Sequence, residues 1–380
     1  MRICVVIGTR PQFIKASVLI PALNKENIET SVINTGQHYD MELSKNLFSD
    51  LDIKQFDADL QIGSGVWRHQ IGSGIRQLDK LIHNQNYHAL LVIGDSNPAV
   101  VGALSGLLNQ IPVIHCEAGL RNFDARMPEE LNRRIVDRVA TYHFCSSRFH
   151  AQNILNENRH AAPAVVGDLL VDVFAKYSRV HTRPKQIKSN LEDGCVLLTL
   201  HRRENMAQPE RIKNFVIELL TLTHRPVVWP VHPRARVLAS NILAAAKSIS
   251  YKLILTSPLT YTELNWVKNK SILVITDSIG LQVEAYLLRL PSVSLRFSLE
   301  HPFLEDHGVT HRISMFDDSK SKLALILRDL ENCSWSNVPH DLFGTPGVSG
   351  RIAAAVSTSV VPATLSDTAV NLSKSLLMLG

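Results

Sequence analysis

Short apolar runs recur along the chain, each followed by a longer stretch whose apolar residues fall at helical spacing. Ile3–Ile7, Val32–Thr35, Ala89–Ile93, Pro112–Cys116, Tyr142–Cys145 and Ala164–Val166 form a first set. Runs that are apolar on both faces and alternate with helices predict parallel strands covered on either side, the doubly wound α/β arrangement. A polar segment with Lys, Arg and Pro interrupts the rhythm between Ser178 and Asn190 and contains little that could be buried. The rhythm then resumes at Cys195–Leu200, Val227–Pro230, Lys252–Leu255, Ile272–Thr276 and Ser292–Leu295. The chain therefore reads as a first domain over 1–175, a linker over 176–190, a second domain over 191–357 and a helical tail over 358–380. Ligands in such sheets sit outside the carboxyl ends of the strands, so two facing units enclose a cleft.

A length of 380 residues suits two such domains, and 45% hydrophobic with 20% charged residues is a globular composition. No apolar run approaches the roughly 20 residues of a membrane span, and a strand starting directly after Met1 leaves no room for a secretory leader. The expectation is a cytoplasmic protein without a membrane anchor. Five dispersed cysteines (Cys4, Cys116, Cys145, Cys195 and Cys333) without a C-x-x-C pair argue against a disulfide framework or a zinc site and read as small buried apolar residues. The net charge of +5 is spread without a basic run, which speaks against a nucleic-acid surface and for a small anionic ligand.

The polar residues that could carry chemistry fall just after strands. In Gly8-Thr9-Arg10-Pro11-Gln12-Phe13-Ile14-Lys15 a strand hands over to a helix, with Pro11 wasting no donor. Free backbone N–H groups and the positive helix end are expected to face an anion there, with Arg10 and Lys15 adding two charges. Thr276-Asp277-Ser278-Ile279-Gly280 is the matching turn of the second half, with Glu284 one helical turn further on. Ser278 and Gly280 suit phosphate and Glu284 suits ribose hydroxyls. His201-Arg202-Arg203 ends another strand with three potential cations, a diphosphate pattern. Gly94-Asp95-Ser96-Asn97-Pro98 sets Asp95 at the cleft, although an Asp that merely closes a turn is the simpler alternative. His115-Cys116-Glu117 ends a buried strand in two ionisable groups, and no second ligand cluster lies at a matching spacing. Glu117 thus reads as a catalytic or ligand-binding carboxylate rather than a metal ligand. Met127-Pro128-Glu129-Glu130-Leu131-Asn132-Arg133-Arg134 opens a helix in which Glu129/Arg133 and Glu130/Arg134 lie one turn apart. Surface ion pairs worth about 0.3–0.5 kcal/mol each are the simpler alternative for both.

Taken in order, these motifs resemble the non-hydrolysing UDP-N-acetylglucosamine 2-epimerase family of nucleotide-sugar enzymes. The resemblance runs from Arg2 to about Val356 and also includes T-G-Q-H-Y-D from Thr35 and P-V-H-P-R from Pro230. It implies a GT-B-like fold, two Rossmann-like domains facing across a cleft, and a homodimer serving polysaccharide biosynthesis. It further implies inversion at C2 of a UDP-2-acetamido sugar, by elimination of UDP to a 2-acetamidoglucal and re-addition with the proton on the other face. The residues carried over are Asp95, Glu117, Glu129 and His201 as catalytic groups. Arg10, Lys15, Arg133, Arg202, Ser278, Gly280, Glu284 and His301 are carried over as substrate contacts, with Arg133 holding Glu129. No cofactor or metal is required, because elimination and addition need no redox step. A hydrolysing 2-epimerase, a GT-B glycosyltransferase and a UDP-sugar-binding paralogue without turnover are the competing readings. Departures from the commonest pattern fall at Gln12, Tyr39-Asp40, Asn97-Pro98, Ile279, Val283 and Glu300-His301-Pro302-Phe303. They bear on which sugar is taken and on regulation more than on the chemistry.

Overall fold

A computed structural model describes residues 1–36, 51, 56–63, 65–83, 85–314, 320–331 and 334–360. Residues 37–40 of the T-G-Q-H-Y-D run, Cys333, and the expected tail beyond residue 360 lie outside them. The first sheet contains β1 (Arg2–Ile7), β2 (Glu29–Asn34), β3 (Ala58–Asp59), β4 (Ala89–Ile93), β5 (Val113–Cys116), β6 (Tyr142–Cys145) and β7 (Ala164–Val165). The second contains β8 (Cys195–Thr199), β9 (Val227–Pro230), β10 (Leu253–Thr256), β11 (Ser271–Thr276), β12 (Ser292–Ser294) and β13 (Thr310–Arg312). The strand orders are β3-β2-β1-β4-β5-β6-β7 and β10-β9-β8-β11-β12-β13, with every ladder parallel. The expected doubly wound architecture is therefore present twice.

The residues explain the layering. β1 is wholly buried from Ile3 to Ile7. Ile3, Val5 and Ile7 pack with Phe13, Ala16 and Leu19 of the helix Arg10–Lys25, whereas Cys4 and Val6 pack with Leu78, Ala99 and Val136 on the opposite face. Alternation of period two thus feeds two separate cores, one on each side of the sheet. Cys4, Cys116, Cys145 and Cys195 are buried free thiols, and burial pushes that of Cys4 up to about 12. Their role is apolar packing.

One boundary differs from the sequence reading. The helix Val348–Ser359, expected largely within the second domain, packs against the helices Arg10–Lys25 and Leu169–Tyr177 of the first unit. Its start is held by Asp172, whose Oδ1 accepts from Gly347 N at 2.6 Å and Val348 N at 3.1 Å, and whose Oδ2 accepts from Ser349 N at 2.8 Å. A carboxylate on three helix-start N–H groups is a capping arrangement supplied by another helix. Val348, Ile352, Ala353 and Val356 then join the core around Phe13. The chain thus crosses back from the second unit to the first.

Gly119 marks a tight approach beyond β5. Its φ is +81°, and a Cβ there would stand 2.1 Å from the carbonyl oxygen of His150. Gly119→Ala should cost about 2–4 kcal/mol of stability, read as a lower midpoint in thermal or urea unfolding. An unchanged midpoint would contradict this packing.

Candidate active site

Every strand that carries a motif ends at the same edge of its sheet, because the strands are parallel. Direct contacts link the two edges. Arg202 of the second unit donates from Nη1 to Glu129 Oε1 at 3.0 Å, and Arg133 donates from Nη2 to Glu300 Oε1 at 3.0 Å. Arg10 Nη2 donates to the carbonyl of Leu259 at 3.0 Å, and Asn122 Nδ2 to Glu300 Oε1 at 3.3 Å. The motifs of the two halves therefore converge.

Asp95 and Glu117 follow neighbouring strands. β4 and β5 pair Ile93 with Cys116, so the next residues, Gly94 and Glu117, lie level. Gly94 has φ +69°, and a Cβ on it would stand 3.0 Å from Glu117 Oε2. Glu117 itself takes a left-handed φ of +71°, unusual for a residue with a side chain and a kind of strain that collects at functional sites. Its carboxylate pairs with the ammonium of Lys15, both being nearly buried. Burial, opposed by Lys15 and reinforced by Asp168 and Asp95, pushes the Glu117 carboxyl up to about 7. Burial also works against the Lys15 charge, but Glu117, Asp168 and Asp95 together raise its pKa.

Asp95 meets the opposite environment. Arg133 donates to its Oδ2 from Nε at 2.9 Å and Nη2 at 2.7 Å. Burial resists the charge, but Arg133, Arg202 and Lys15 outweigh it and hold the Asp95 carboxyl below its ordinary range. A quarter of the Asp95 side chain remains exposed. His115 steadies this turn from the side, with Nε2 on Gly94 O at 3.0 Å and Nδ1 on Asp137 Oδ1 at 2.6 Å. That buried histidine is a structural pin, and among the described residues no group of three His, Cys, Asp or Glu side chains could hold a metal ion.

The helix Pro128–Val139 departs from the expected pairing. Arg133 does not hold Glu129; it reaches Asp95, Glu130 Oε2 at 3.3 Å and Glu300, while Glu129 pairs with Arg202 across the units. The reason is reach: Arg133 and Glu130 point inward and are 1% exposed, whereas Glu129 lies on the neighbouring face. Glu130 also pairs with Arg134 at 3.2 Å, as the spacing predicted, although Glu130 is buried rather than on the surface.

In the second unit, Asp277 organises the turn. Fully buried, it accepts from His201 N at 3.0 Å, Arg202 N at 2.9 Å and Asn205 Nδ2 at 3.0 Å, and its Oδ1 lies 2.9 Å from His201 Nδ1. Burial pushes its carboxyl up, but His201 and these donors outweigh that and hold it at about 2. The His201 ring is thereby oriented while 39% of its side chain stays exposed. Ser278 caps the helix Ile279–Leu287 by accepting from Leu281 N at 3.4 Å. A Cβ at Gly280 would make only an ordinary 3.6 Å contact with Leu170, so the protein's own packing does not demand glycine there.

Three expectations meet a different environment. The helix start at Arg10 has no spare donors at Gly8 and Thr9, because both N–H groups donate to Gln12 Oε1, at 2.9 and 3.1 Å. Glu284, expected on ribose, accepts from Tyr261 Oη at 2.7 Å and Lys268 Nζ at 2.8 Å and is nearly buried. His301, expected on substrate, is 2% exposed and packs its ring against His150, Phe303 and Phe343. Burial first, then His150, Arg133, Lys15 and Arg296, hold that imidazole neutral, well below its ordinary pKa. Residues that the sequence left without a role are Asp168, Arg296 and Glu300. The Glu300 carboxylate joins Arg296 at 2.6 Å to Arg133, and the sequence marked Glu300 only as part of the run Glu300-His301-Pro302-Phe303 that departs from the commonest pattern.

A family model for UDP-N-acetylglucosamine 2-epimerase matches residues 21–357. A relative from Pseudomonas aeruginosa, named UDP-2,3-diacetamido-2,3-dideoxy-D-glucuronate 2-epimerase, is 36% identical over 306 residues, covering 79% of this chain and 84% of that protein. The UDP-N-acetylglucosamine 2-epimerase of Methanocaldococcus jannaschii is 32% identical over 350 residues, 89% of this chain and 94% of that one. The crystal structure of the M. jannaschii UDP-GlcNAc 2-epimerase in complex with UDP-GlcNAc and UDP superposes with a TM-score of 0.83 at 30% identity, over 94% of this chain and 99% of that one. The GT-B-like architecture of two facing parallel-sheet units is thus shared with that structure, and the chain belongs to the UDP-N-acetylglucosamine 2-epimerase family of isomerases.

Proposed function

We propose that the chain inverts C2 of a UDP-2-acetamido sugar without hydrolysis, by eliminating UDP to a 2-acetamidoglucal and adding it back. The observation that carries this reading is the divergence of two neighbouring carboxyls: Asp95 is held ionised by Arg133, while Glu117 is raised to about 7 beside Lys15. A C2 inversion through a planar intermediate needs one group to remove a proton from one face and another to deliver a proton to the other. Carboxyls pushed apart in pKa supply such a pair. The C2 proton is hardly acidic until the bond from C1 to UDP weakens, so stabilising the departing diphosphate must drive the step. Arg10, Lys15, His201, Arg202 and the helix start at Ser278 and Gly280 are assigned that task, with Glu129 released toward the sugar when a diphosphate competes for Arg202. Glu284 is assigned to orienting the ribose side of the pocket through Tyr261 and Lys268. Asp95 acts as base and Glu117 as acid in one direction, and they exchange roles in the other.

The M. jannaschii relative supports UDP-N-acetylglucosamine as substrate, and the P. aeruginosa relative supports a 2,3-diacetamido uronate. Both belong in the first assay. A homodimer working in the cytoplasm in polysaccharide synthesis completes the proposal. Exposed Leu107 and Leu108 offer apolar surface for the dimer, which sedimentation at several concentrations would test.

A proton NMR time course in deuterated buffer, with each UDP-sugar in turn, should show loss of the C2 signal together with the C2 epimer of the nucleotide sugar. Free 2-acetamido sugar with UDP would establish hydrolysis instead, and bound UDP-sugar without exchange would sink both. Asp95→Asn and Glu117→Gln should each lower kcat by about 10²–10⁴-fold. The pair must hold one proton, so kcat/KM should fall as pH rises through about 7, where Glu117 loses it. Substrate and product carry the same protons, which requires this dependence to be the same in both directions. A profile flat from about pH 6 to 8.5 would refute the shared-proton assignment.

A further inference from the structure

We propose that Gln12 is a positioning residue that fixes the height of Asp95 above the sheet, by clamping the end of β4 to the turn that ends β1. The proposal rests on the reading of Asp95 as a proton-transfer group. Gln12 is 3% exposed and uses both ends of its amide. Its Oε1 accepts from Gly8 N at 2.9 Å, Thr9 N at 3.1 Å and Thr9 Oγ1 at 3.2 Å. Its Nε2 donates to the carbonyl of Ile93 at 2.8 Å.

That carbonyl is the critical acceptor. The β1–β4 ladder ends at the pair Val6 and Val92, so Ile93 O lies one residue beyond it, two residues before Asp95. On the β5 side the next residue is already fixed, with Gly94 N donating to Cys116 O at 2.9 Å and Gly94 O received by His115. Asn132 Nδ2 fixes the carbonyl of Asp95 itself at 2.8 Å. The Gln12 amide is the corresponding tie on the β1 side. Without it, a buried carbonyl loses its partner and the turn carrying Asp95 is free to tilt away from Arg133.

The position demands an acceptor and a donor on one side chain. Glutamine provides both, whereas a carboxylate provides only acceptors. A glutamate could reproduce the clamp only with a proton on the oxygen facing Ile93 O. The charged groups gathered at this edge are Arg10 and Lys15 on the same helix, Asp95 after β4 with Arg133 and Arg202 over it, Glu117 after β5 and Asp168 at the start of the helix Leu169–Tyr177. Burial at this 3% exposed position disfavours a charge, and only the protonated acid can donate to Ile93 O, so a glutamate at position 12 would keep its proton to a higher pH than an exposed one.

The test compares the full-length wild type, Gln12→Met and Gln12→Glu. Gln12→Met, similar in shape but unable to make the clamp, should lower kcat of epimerisation by about 10–100-fold with KM changed less than about threefold. Gln12→Glu should stay within about threefold of wild type at acid pH, and its activity relative to wild type should drop toward that of Gln12→Met as pH rises. Carbon-13 NMR of the side-chain carboxyls, with the Asp95 signal identified by its loss in Asp95→Asn, should show Asp95 titrating at higher pH in Gln12→Met because the contact to Arg133 is loosened. This readout needs no turnover, so it separates failure of the clamp from failure of the proposed reaction. A Gln12→Met protein with lower thermal stability but wild-type kcat and Asp95 titration would overturn the proposal, as would a Gln12→Glu protein as impaired as Gln12→Met at acid pH.

Discussion

A guanidinium cannot be buried without acceptors, and Arg133 is where that constraint shapes the molecule. At 1% exposure it must be surrounded by carboxylates, and the three it finds come from different parts of the chain: Asp95 after β4, Glu130 on its own helix and Glu300 in the second unit. Removing a partner would leave a charge uncompensated in a low dielectric, which costs about 3–5 kcal/mol in comparable sites. One side chain therefore links the ionisation of Asp95 to the way the two units meet. Glu300 repeats the logic from the other side, since its Oε1 is shared by Arg133, Arg296 and Asn122.

Two of the three strand-end turns that the sequence marks as anion sites satisfy their own backbone first. Gln12 takes the N–H groups of Gly8 and Thr9, and Asp277 takes those of His201 and Arg202. An N–H already bonded inside the protein has less to give a ligand. Charge that meets an anion here must then come mainly from side chains, and the Asp277 network serves that end by orienting His201 while leaving it exposed.

Much of this was legible in the sequence. The alternation of apolar runs and helical stretches announced two doubly wound units, because a strand buried on both faces has no other pattern available. The edge strands β3 (Ala58–Asp59) and β13 (Thr310–Arg312) were missed: they are short and polar, and they exist only through pairing with a neighbour. The return of the helix Val348–Ser359 to the first unit was also hidden, since its anchor Asp172 lies far away in sequence. Spacing placed Glu129 and Arg133 together because it counts only neighbours on one helix. Arg202 and Glu300, from the other unit, decided the true partners. Local motifs located the strand-end turns, and long-range packing decided whom their side chains hold.

The divergence of Asp95 and Glu117 can be traced to topology. In the order β2-β1-β4-β5 the chain reverses direction at β1 and β4, and crossovers of one hand must then run on opposite faces of the sheet to either side. The two cores record this: the helix Arg10–Lys25 packs with Ile3, Val5 and Ile7, and the helix Pro128–Val139 sends Val136 to the core of Cys4 and Val6. Lys15 thus approaches the strand ends from one face and Arg133 from the other. Neighbouring strands deliver two carboxyls to one level, and each is claimed by a different cation. Arg133 leaves Asp95 partly exposed and well paired, whereas Lys15 is shared among Glu117, Asp168 and Asp95 and cannot neutralise them all. Burial, reinforced by Asp168 and Asp95, then raises the pKa of Glu117. A switch point in strand order thereby becomes a difference in proton affinity between two side chains set side by side.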